Sequence, residues 1–354
     1  MGIYYVKGRF AMIRFTNDYS EGCHPAILAA LTAANTEGNF GYGADPHCAR
    51  ARALIRDAIA AQNADVHFLV GGTQVNATAI CAFLRPHQAV LATRLGHVCG
   101  HETGAVEATG HKCVALPCAA DGKLTPAAIR AGVAAHPNEH NVQPKLVYIS
   151  NTTETGAVYS AGELRALRAV CDELGLYLYL DGARLASALA AGGAGLAECA
   201  RYCDAFTIGG TKNGAMFGEA LCILNDTLKP DFRYILKQRG GMLAKGFLLG
   251  IQFETLMENG LYERLGRHAT DLALRLRDGM AALAVEFACP SPSNQQFPIL
   301  PNRVLAALEG GFHWETMGPH GPDATEIRLV TSWAMEDGAV DAFLAALSDA
   351  LRQG

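Results

Sequence analysis

The sequence lacks the features that mark membrane, secreted and nucleic-acid-binding proteins. It contains no recognisable signal peptide and no uncharged apolar run of about 18 residues, which a membrane-spanning helix requires. It also has no long block of like charge: 18% of the residues are charged and the net charge is −5. These absences favour a soluble protein that acts on small molecules, without a nucleic-acid or membrane partner.

Closely spaced cysteines are also missing. The eleven cysteines are an odd number, and no two of them form a Cys-x-x-Cys pair. A chain of 354 residues can bury a large core without disulfides, so reduced thiols are the better interpretation. The cysteine pattern therefore predicts a cytoplasmic protein.

What the sequence does contain is a series of short apolar runs separated by helical patterns. Most runs are apolar throughout, as in strands that are buried on both faces. In one helical pattern, Ser160 and Glu163 form a capping box and Gly175 follows the last apolar position. The alternation predicts an α/β fold with a mainly parallel, seven-stranded sheet and helices on both faces. The predicted strands are Val66–Val70, Ala89–Ala92, Cys113–Pro117, Leu146–Ser150, Leu176–Leu180, Ala205–Ile208 and Ala220–Leu224.

The pattern changes from about Leu243. Helical stretches run to about Ala284, a Pro/Ser/Asn-rich break follows, and mixed strands and a last helix, Gly338–Arg352, complete the chain. We therefore expect a large domain over residues 15–245 and a smaller C-terminal α+β domain over residues 246–354. Residues 1–14 are expected to be an N-terminal extension.

Three polar groups follow predicted strands in an order typical of one cofactor. Gly71-Gly72-Thr73 opens a helix, where free N–H groups and a hydroxyl can bind a phosphate. Asp181 ends the fifth predicted strand, and Thr211-Lys212 follows the sixth. A lysine amine forms a Schiff base with the aldehyde of pyridoxal phosphate, and a carboxylate keeps the pyridine nitrogen protonated. Each group alone is more simply a turn or a solvated lysine, but their combination predicts a pyridoxal phosphate site at one sheet edge.

A group of possible metal ligands follows the second predicted strand. It consists of His97, Cys99, His101 and Glu102. Their order is not His-Glu-x-x-His and no second cluster has metal-site spacing, so we predict no metal site. A flat imidazole at His97, stacked on the cofactor ring, is the preferred interpretation; a histidine that is hydrogen-bonded in a turn is the simpler alternative.

Two arginines are candidate receptors for an anion. Arg184 follows Asp181 by three positions, and Arg328 lies in an apolar stretch where an unpaired charge would be costly. A guanidinium binds a carboxylate through two parallel hydrogen bonds. The residues alone leave open whether Arg328 binds a ligand or forms a salt bridge within an edge strand.

Several segments carry a resemblance to a known family. They are Phe15-Thr-Asn-Asp18 with Gly22-Cys-His-Pro25, Tyr42-Gly-Ala-Asp-Pro46, Gly71-Gly-Thr-Gln-Val-Asn76, His97 with Glu102, and Asp181-Gly-Ala-Arg184. These segments resemble those of the low-specificity L-threonine aldolases, which are grouped with the β-eliminating lyases. The resemblance runs from about Phe15 to Trp333 and implies the pyridoxal phosphate-dependent transferase fold of type I.

The resemblance also implies a role for each matched residue. Lys212 would carry the cofactor, Asp181 would pair with the pyridine nitrogen, and His97 would stack on the ring. Together with Glu102, these are the implied catalytic residues. The implied cofactor contacts also include Gly72, Thr73, Arg184 and Thr211, and the implied substrate-binding residues are Thr16, Tyr42, Arg184 and Arg328.

A shared active site is part of the same resemblance. Tyr42 would enter from a neighbouring subunit, which implies a homodimer or a homotetramer. One basic residue would reach the neighbour's phosphate, and the sequence leaves open which of Lys237, Arg239 and Lys245 it is.

The implied reaction is the retro-aldol cleavage of a β-hydroxy-α-amino acid, such as L-threonine, L-allo-threonine or phenylserine, to glycine and an aldehyde. A base, His97 or Glu102, would remove the β-hydroxyl proton. The family's Asn-Thr-His segment is Asn151-Thr-Thr-Glu154 here, so its second histidine is replaced by Thr153. This departure is compatible with a larger aldehyde portion, as in phenylserine.

Three alternatives stay open from the sequence. The same fold also hosts β-eliminating lyases, aminotransferases and racemases. A non-catalytic pyridoxal phosphate-binding protein is the second alternative, although no DNA-binding segment is recognisable. A nucleotide-binding dehydrogenase is the third, and the absence of Gly-x-Gly-x-x-Gly after the first predicted strand counts against it.

Overall fold

All seven predicted strands pair in one sheet in the protein, whose computed structural model describes residues 12–353. The strands are β1 (Ile13–Arg14), β2 (Asp65–Leu69), β3 (Gln88–Thr93), β4 (Lys112–Leu116), β5 (Gln143–Ser150), β6 (Tyr177–Asp181), β7 (Ala205–Gly209), β8 (Glu219–Ile223), β9 (Glu286–Phe287), β10 (Gln295–Gln296), β11 (Pro298–Pro301), β12 (Phe312–His313), β13 (Glu315–His320) and β14 (Ala324–Val330). The order in the large sheet is β2-β8-β7-β6-β5-β3-β4. Only β8 runs antiparallel to its neighbours, so the predicted mainly parallel sheet is confirmed.

Helices connect the strands, and most of them cover the two faces of the large sheet. They are α1 (Pro25–Ala33), α2 (Pro46–Ala58), α3 (Gly72–Phe83), α4 (His97–Gly100), α5 (Pro126–Ala134), α6 (Ala161–Leu174), α7 (Leu185–Ala190), α8 (Leu196–Tyr202), α9 (Phe232–Gln238), α10 (Phe247–Met257), α11 (Leu261–Ala282), α12 (Asn302–Leu308) and α13 (Asp337–Arg352). Short 3-10 turns occur at Glu107–Thr109, Asp226–Leu228 and Glu258–Gly260. Two separate apolar cores, one on each face of the large sheet, contain side chains of α2 to α10.

Local sequence signals explain where α6 begins and ends. The Ser160 side chain accepts a hydrogen bond from the backbone N–H of Glu163, and the Glu163 carboxylate accepts one from the backbone N–H of Ser160. Gly175 ends the helix with φ 64°, a left-handed conformation that favours glycine. The predicted helix between β5 and β6 is therefore confirmed, with the capping box that the sequence indicated.

A close approach of two strands fixes the position of Asp181. A Cβ atom on the next residue, Gly182, would lie 2.0 Å from the carbonyl oxygen of Thr207 on β7. The backbone N–H of Gly182 instead donates a hydrogen bond of 2.7 Å to the Thr207 hydroxyl. A glycine is thus required at this point, and it brings the carboxyl end of β6 next to that of β7.

The C-terminal part of the chain has its own core. β14 lies between β10 and β11 in an antiparallel sheet and also pairs with β13, and α11, α12 and α13 pack against these strands. Phe15 enters this core, where its ring centroid lies 5.2 Å from that of Phe343. The α+β character predicted for the C-terminal part is present in the structure.

Two packing contacts cross the boundaries that were predicted between the N-terminal extension, the large domain and the C-terminal domain. Ile13 and Arg14, expected in the N-terminal extension, pair with Phe312 and His313 of β12; residues 1–11 lie outside the described residues. Beyond the expected boundary at residue 245, α10 packs on α2, and Phe253 belongs to the core of the large sheet. We propose that the large unit extends into α11.

In the part of the chain that the structure describes, no helix combines the length and the apolar character needed to cross a membrane.

Candidate active site

The carboxyl ends of the parallel strands border a cavity of about 520 Å³. Segments that follow β2, β3, β5, β6 and β7 all reach it. Eight of the predicted site residues line this cavity: Gly72, Thr73, His97, Asp181, Arg184, Thr211, Lys212 and Arg328. The fold therefore gathers, at one edge of the sheet, groups that are up to 256 positions apart in the sequence, as Gly72 and Arg328 are (328 − 72).

The glycine turn after β2 offers an open helix N-terminus. Gly71 precedes α3 as its N-cap and has no side chain that could cap the first N–H groups of this helix. A Cβ atom added to Gly71 or Gly72 would meet no heavy atom within 4 Å, so the backbone borders free space. With the Thr73 side chain on the same cavity wall, this turn fits the phosphate of the predicted cofactor.

Asp181 is held in place by three hydrogen bonds at the end of β6. Its Oδ2 accepts one from the Tyr148 hydroxyl at 2.7 Å and one from the Asn76 amide at 2.9 Å. Its Oδ1 accepts one from the backbone N–H of Ala183 at 2.9 Å. Burial, together with the nearby Asp181 charge, raises the pKa of Tyr148 well above its usual value, so this hydroxyl stays a donor. An oriented, buried carboxylate of this kind fits a protonated pyridine nitrogen.

The same network orients His97. Glu102 Oε1 accepts a hydrogen bond from Asn76 at 2.7 Å and contacts His97 Nδ1 at 2.8 Å. Because the carboxylate oxygen accepts, Nδ1 carries the proton and Nε2 is left for the cavity. Glu102 is buried and does not line the cavity, so it lies behind His97 rather than at the substrate.

Lys212 lies in the turn between β7 and β8, in a mixed electrostatic environment. Burial lowers the pKa of its amine, Arg184 adds to this effect, and nearby carboxylates oppose it. The net shift is downward, which increases the share of neutral amine. The neutral amine is the form that attacks an aldehyde, so this environment fits the predicted covalent role.

Arg184 already has a carboxylate partner in the protein. Its Nε donates to Asp18 Oδ2 at 2.7 Å and its Nη2 donates to Asp18 Oδ1 at 3.0 Å. Burial would raise the pKa of Asp18, but the adjacent Arg184 and Lys212 charges outweigh it and the net shift is downward. A guanidinium has five N–H donors, so Arg184 keeps capacity for a ligand beside Asp18.

Arg328 forms a salt bridge and also lines the cavity, and a role in binding a ligand stays a prediction. It lies on β14 directly opposite Glu315 of β13, and its Nη2 donates to the Glu315 carboxylate. Its Nη1 donates to Gln295 Oε1 at 3.2 Å. All three side chains line the cavity, so this cross-strand salt bridge is also part of the cavity wall.

Two predicted substrate-binding residues do not reach the cavity of their own chain. The Thr16 hydroxyl is 3.0 Å from His313 Nδ1. The Tyr42 ring is exposed, with Lys237 Nζ 4.3 Å from its centroid. Their roles at the site stay predictions, and Tyr19, close to Thr16 in the sequence, lines the cavity instead.

The three basic candidates for a neighbouring phosphate have different surroundings. Lys237 lies over Tyr42, and Lys245 is exposed. The backbone carbonyl of Arg239 accepts a hydrogen bond of 3.4 Å from Gln74, in the first turn of α3. This contact places Arg239 near the glycine turn of the same chain, and the choice among the three stays open.

Besides Glu315, two further carboxyl groups in the cavity wall were missed by the sequence reasoning. Glu154 lies beside the departure at Thr153, and Glu219 directly precedes the predicted strand Ala220–Leu224. An acid at the start of an apolar run was the signal for Glu219, since it places a carboxyl group at a strand end. Asn76 was part of a quoted motif, but its contacts with Asp181 and Glu102 appear only in the structure.

Glu219 has an unusual environment for an acid. It lies opposite Leu69 of β2 and Gly209 of β7, and is 4% exposed. Its Oε2 is buried and has no hydrogen-bond partner among residues 12–353. Burial raises its pKa to about 8, although the neighbouring Lys212 opposes the shift. Folding therefore takes up a proton at Glu219 between about pH 4.5, its unfolded pKa, and about pH 8.

This shift predicts a pH-dependent effect of Glu219→Gln on stability. The stabilising contribution of protonated Glu219 is present below its unfolded pKa and is lost as the pH rises through this window, whereas glutamine takes up no proton. Between about pH 5 and pH 8, we expect the free energy of unfolding of the variant to rise relative to that of the parent by about 3 to 4 kcal/mol. Urea unfolding of the cofactor-free proteins measures it, with the exposed Glu309→Gln as control. A pH-independent difference would contradict the assignment.

No group of three or more His, Cys, Asp or Glu side chains is arranged to hold a metal ion within residues 12–353. In the group considered from the sequence, His97 and Glu102 are instead hydrogen-bonded to each other.

Known proteins with similar sequences point to one family. A model described as beta-eliminating lyase matches residues 16–300. A low-specificity L-threonine aldolase of Pseudomonas sp. (strain NCIMB 10558) is 33% identical over 92% of this chain and 94% of that protein. Another, from Pseudomonas aeruginosa, is 32% identical over 90% of this chain and 92% of that protein.

Solved structures agree with the sequence relatives. A threonine aldolase of Leishmania major is 50% identical, with a TM-score of 0.94, and the match covers 96% of this chain and 99% of that one. An aspartate aminotransferase variant of Thermus thermophilus is 17% identical with a TM-score of 0.67, over 96% of this chain and 91% of that one, and shows the shared fold. The chain belongs to the beta-eliminating lyase family, in the group of the low-specificity L-threonine aldolases.

Proposed function

We propose that the protein is a pyridoxal phosphate-dependent carbon–carbon lyase that cleaves β-hydroxy-α-amino acids of the threonine type to glycine and an aldehyde. The observation that carries this proposal is the joint placement of Lys212, Asp181 and the Gly71–Thr73 turn around one cavity. Relatives that are named threonine aldolases and match nearly the whole chain support the same reaction.

The chain's own residues would divide the work of holding the cofactor. The Gly72 and Thr73 turn, with Thr211, would bind the phosphate; Lys212 would bind the aldehyde carbon; and Asp181 would pair with the ring nitrogen. Bound pyridoxal phosphate supplies an electron sink for the electron pair of a bond broken at Cα. The residues present fit this group, because the donor turn, the amine and the acid all face the same cavity.

Substrate orientation would fall to the arginines. A carboxylate held by Arg184 or Arg328 fixes rotation about the Cα–N bond, and this rotation decides which bond to Cα is broken. Arg328 offers the more open position, because Arg184 is paired with the buried Asp18 while the Glu315 partner of Arg328 is half exposed. His97 would stack on the cofactor ring, oriented by Glu102.

The products identify the reaction. Loaded protein is incubated separately with L-threonine, L-allo-threonine, phenylserine and a cysteine conjugate. We expect glycine and an aldehyde in equal amounts from at least one hydroxy amino acid, because only the Cα–Cβ bond is broken. Chromatography of both products provides the measurement. Pyruvate and ammonia from the cysteine conjugate, without any aldehyde from the hydroxy amino acids, would show a β-eliminating lyase instead.

We also propose that the active protein is a homodimer or a homotetramer. Phe40, Tyr42 and Tyr234 are large side chains that are 76%, 46% and 78% exposed. The Arg233 guanidinium donates to the Tyr42 carbonyl at 3.3 Å, which ties the Tyr42 loop to the helix that carries Tyr234. Exposed aromatic side chains of this kind suit a contact with a second copy, and they support a role for Tyr42 in the neighbour's cavity.

We propose a cytoplasmic location because the cysteine thiols are free. All eleven cysteines lie within the described residues and all are free. Cys171, Cys199, Cys203 and Cys222 are buried in the large core. Thiols that serve as small apolar core residues suit a reducing compartment.

A further inference from the structure

Glu154 lines the cavity and is held by only one of its two oxygens. Its Oε1 accepts a hydrogen bond from the backbone N–H of His97 at 3.0 Å and one from the Ser150 hydroxyl at 2.8 Å. No residue in the described range donates a hydrogen bond to Oε2. This oxygen is not fully buried, so a ligand can reach it. The carboxyl group is thus fixed in position by Oε1 and offers Oε2 to a ligand in the cavity.

The neighbouring candidates for a base have other contacts or other proposed tasks. The Thr153 hydroxyl donates to the carbonyl of Asp121 at 3.0 Å, and a hydroxyl is a poor base at neutral pH. Glu102 lies behind His97 and does not line the cavity. His97 has its Nδ1 engaged with Glu102, and its proposed task is to stack on the cofactor ring. Glu154 is the carboxyl group closest in the sequence to the position where the related aldolases carry a second histidine.

The surroundings of Glu154 favour proton uptake. Burial raises the pKa of its carboxyl group, and the hydrogen bonds from Ser150 and His97 offset this only in part. A base acts best when its pKa approaches the working pH. The titratable groups around it are His97 and Cys99 of α4, Tyr148 of β5, Tyr159, Asp181 of β6 and Arg184.

We propose that Glu154 is the base that takes the β-hydroxyl proton of the substrate, an inference that rests on the proposed aldol cleavage. The O–H bond breaks and its proton moves to Oε2. The oxygen electron pair forms the C=O bond of the aldehyde as the Cα–Cβ bond breaks, and that bond's pair stays on Cα. Glycine forms when Cα takes up one proton, so the proton held by Glu154 balances the reaction.

The test is the variant Glu154→Gln, which removes proton uptake at this position and keeps the hydrogen bonds that hold the side chain. A glutamine keeps a carbonyl Oε1 for both the His97 N–H and the Ser150 hydroxyl, but it cannot take up a proton. We expect kcat for L-threonine or phenylserine to fall by about 10²- to 10³-fold, with KM changed less than about threefold. The decline of kcat on the acidic side, which reports ionisation of Glu154 in the parent, is expected to disappear.

A second readout needs no β-hydroxyl group. Glycine has none, so exchange of its α-hydrogen in deuterium oxide, followed by NMR, does not use the proposed proton transfer. We expect Glu154→Gln to keep this exchange and the spectral titration with glycine within about threefold of the parent. Equal losses in exchange and cleavage would show that Glu154 only supports the structure, and the inference would fail.

Two further variants, Glu154→Asp and Glu309→Gln, test whether the carboxyl group itself is needed and whether a change of charge alone has an effect. Glu154→Asp retains a carboxyl group with a shorter reach, so we expect an intermediate rate and a retained acidic limb, even if the glutamine variant does not fold. Glu309→Gln, on the exposed end of α12, controls for the change of charge. If the parent cleaves no hydroxy amino acid, the proposed function itself fails. If the parent cleaves and Glu154→Gln cleaves as fast, only the present inference fails.

Discussion

Replacing Lys212 with alanine is expected to abolish covalent attachment of pyridoxal phosphate and to lower the cleavage rate by at least about 10³-fold. The Lys212 amine faces the cavity, in an environment that lowers its pKa and makes it more often neutral. Among the described residues that line the cavity, no other lysine is present. The visible absorbance of the purified protein and an aldehyde assay provide the two measurements.

A second lysine variant serves as the control, because it shows whether the loss depends on position 212 or follows from the removal of any lysine. Lys112 is exposed on β4, an edge strand of the large sheet. Lys112→Ala is expected to keep both the absorbance and the activity of the parent. A Lys212→Ala variant that cleaved as fast as the parent would remove the covalent role of this residue.

The second large effect is expected at Asp181. Asp181→Asn keeps the size of the side chain and removes the negative charge that would pair with the pyridine nitrogen. We expect the cofactor to stay attached through Lys212, while kcat falls by about 10²- to 10³-fold, because a fixed charge at the reacting system is lost. Visible spectra and steady-state kinetics of the variant test both parts.

A companion variant distinguishes the charge from its hydrogen bonds. Tyr148→Phe removes one donor to Asp181 but leaves the carboxylate and the Asn76 and Ala183 contacts in place. Its expected loss in kcat is about tenfold or less, in line with one hydrogen bond of about 1 kcal/mol. Equal losses in the two variants would mean that the network, rather than the charge, matters at this position.

The large sheet was predictable from local patterns. Strands buried on both faces appear as continuous apolar runs, and each of the seven predicted runs overlaps a strand of the sheet. The order of the strands was not predictable, because neighbours such as β2 and β8 are separated by some 150 residues and pair through the fold as a whole. The capping box and the final glycine located α6 because caps act within one helical turn.

The lining of the cavity was predictable only where a polar residue directly follows a predicted strand or lies in a recognisable motif. Asp181 and Lys212 were found from their positions after strands. Asp181, Arg184 and Arg328 have as partners Tyr148, Asp18 and Glu315, respectively, and no local sequence pattern indicates these pairings. Sequence reasoning therefore assigned anion-binding roles to both arginines but could not show that each already has a carboxylate partner.

The covalent position of the cofactor is the central claim, and chemical trapping tests it most directly. The loaded protein is treated with borohydride, which reduces the carbon–nitrogen double bond to a stable amine, and its peptides are then analysed by mass spectrometry. We predict one added pyridoxyl phosphate group per chain, on the peptide that contains Lys212. An adduct on another lysine, or a protein that carries no adduct after incubation with the cofactor, would contradict the proposed site.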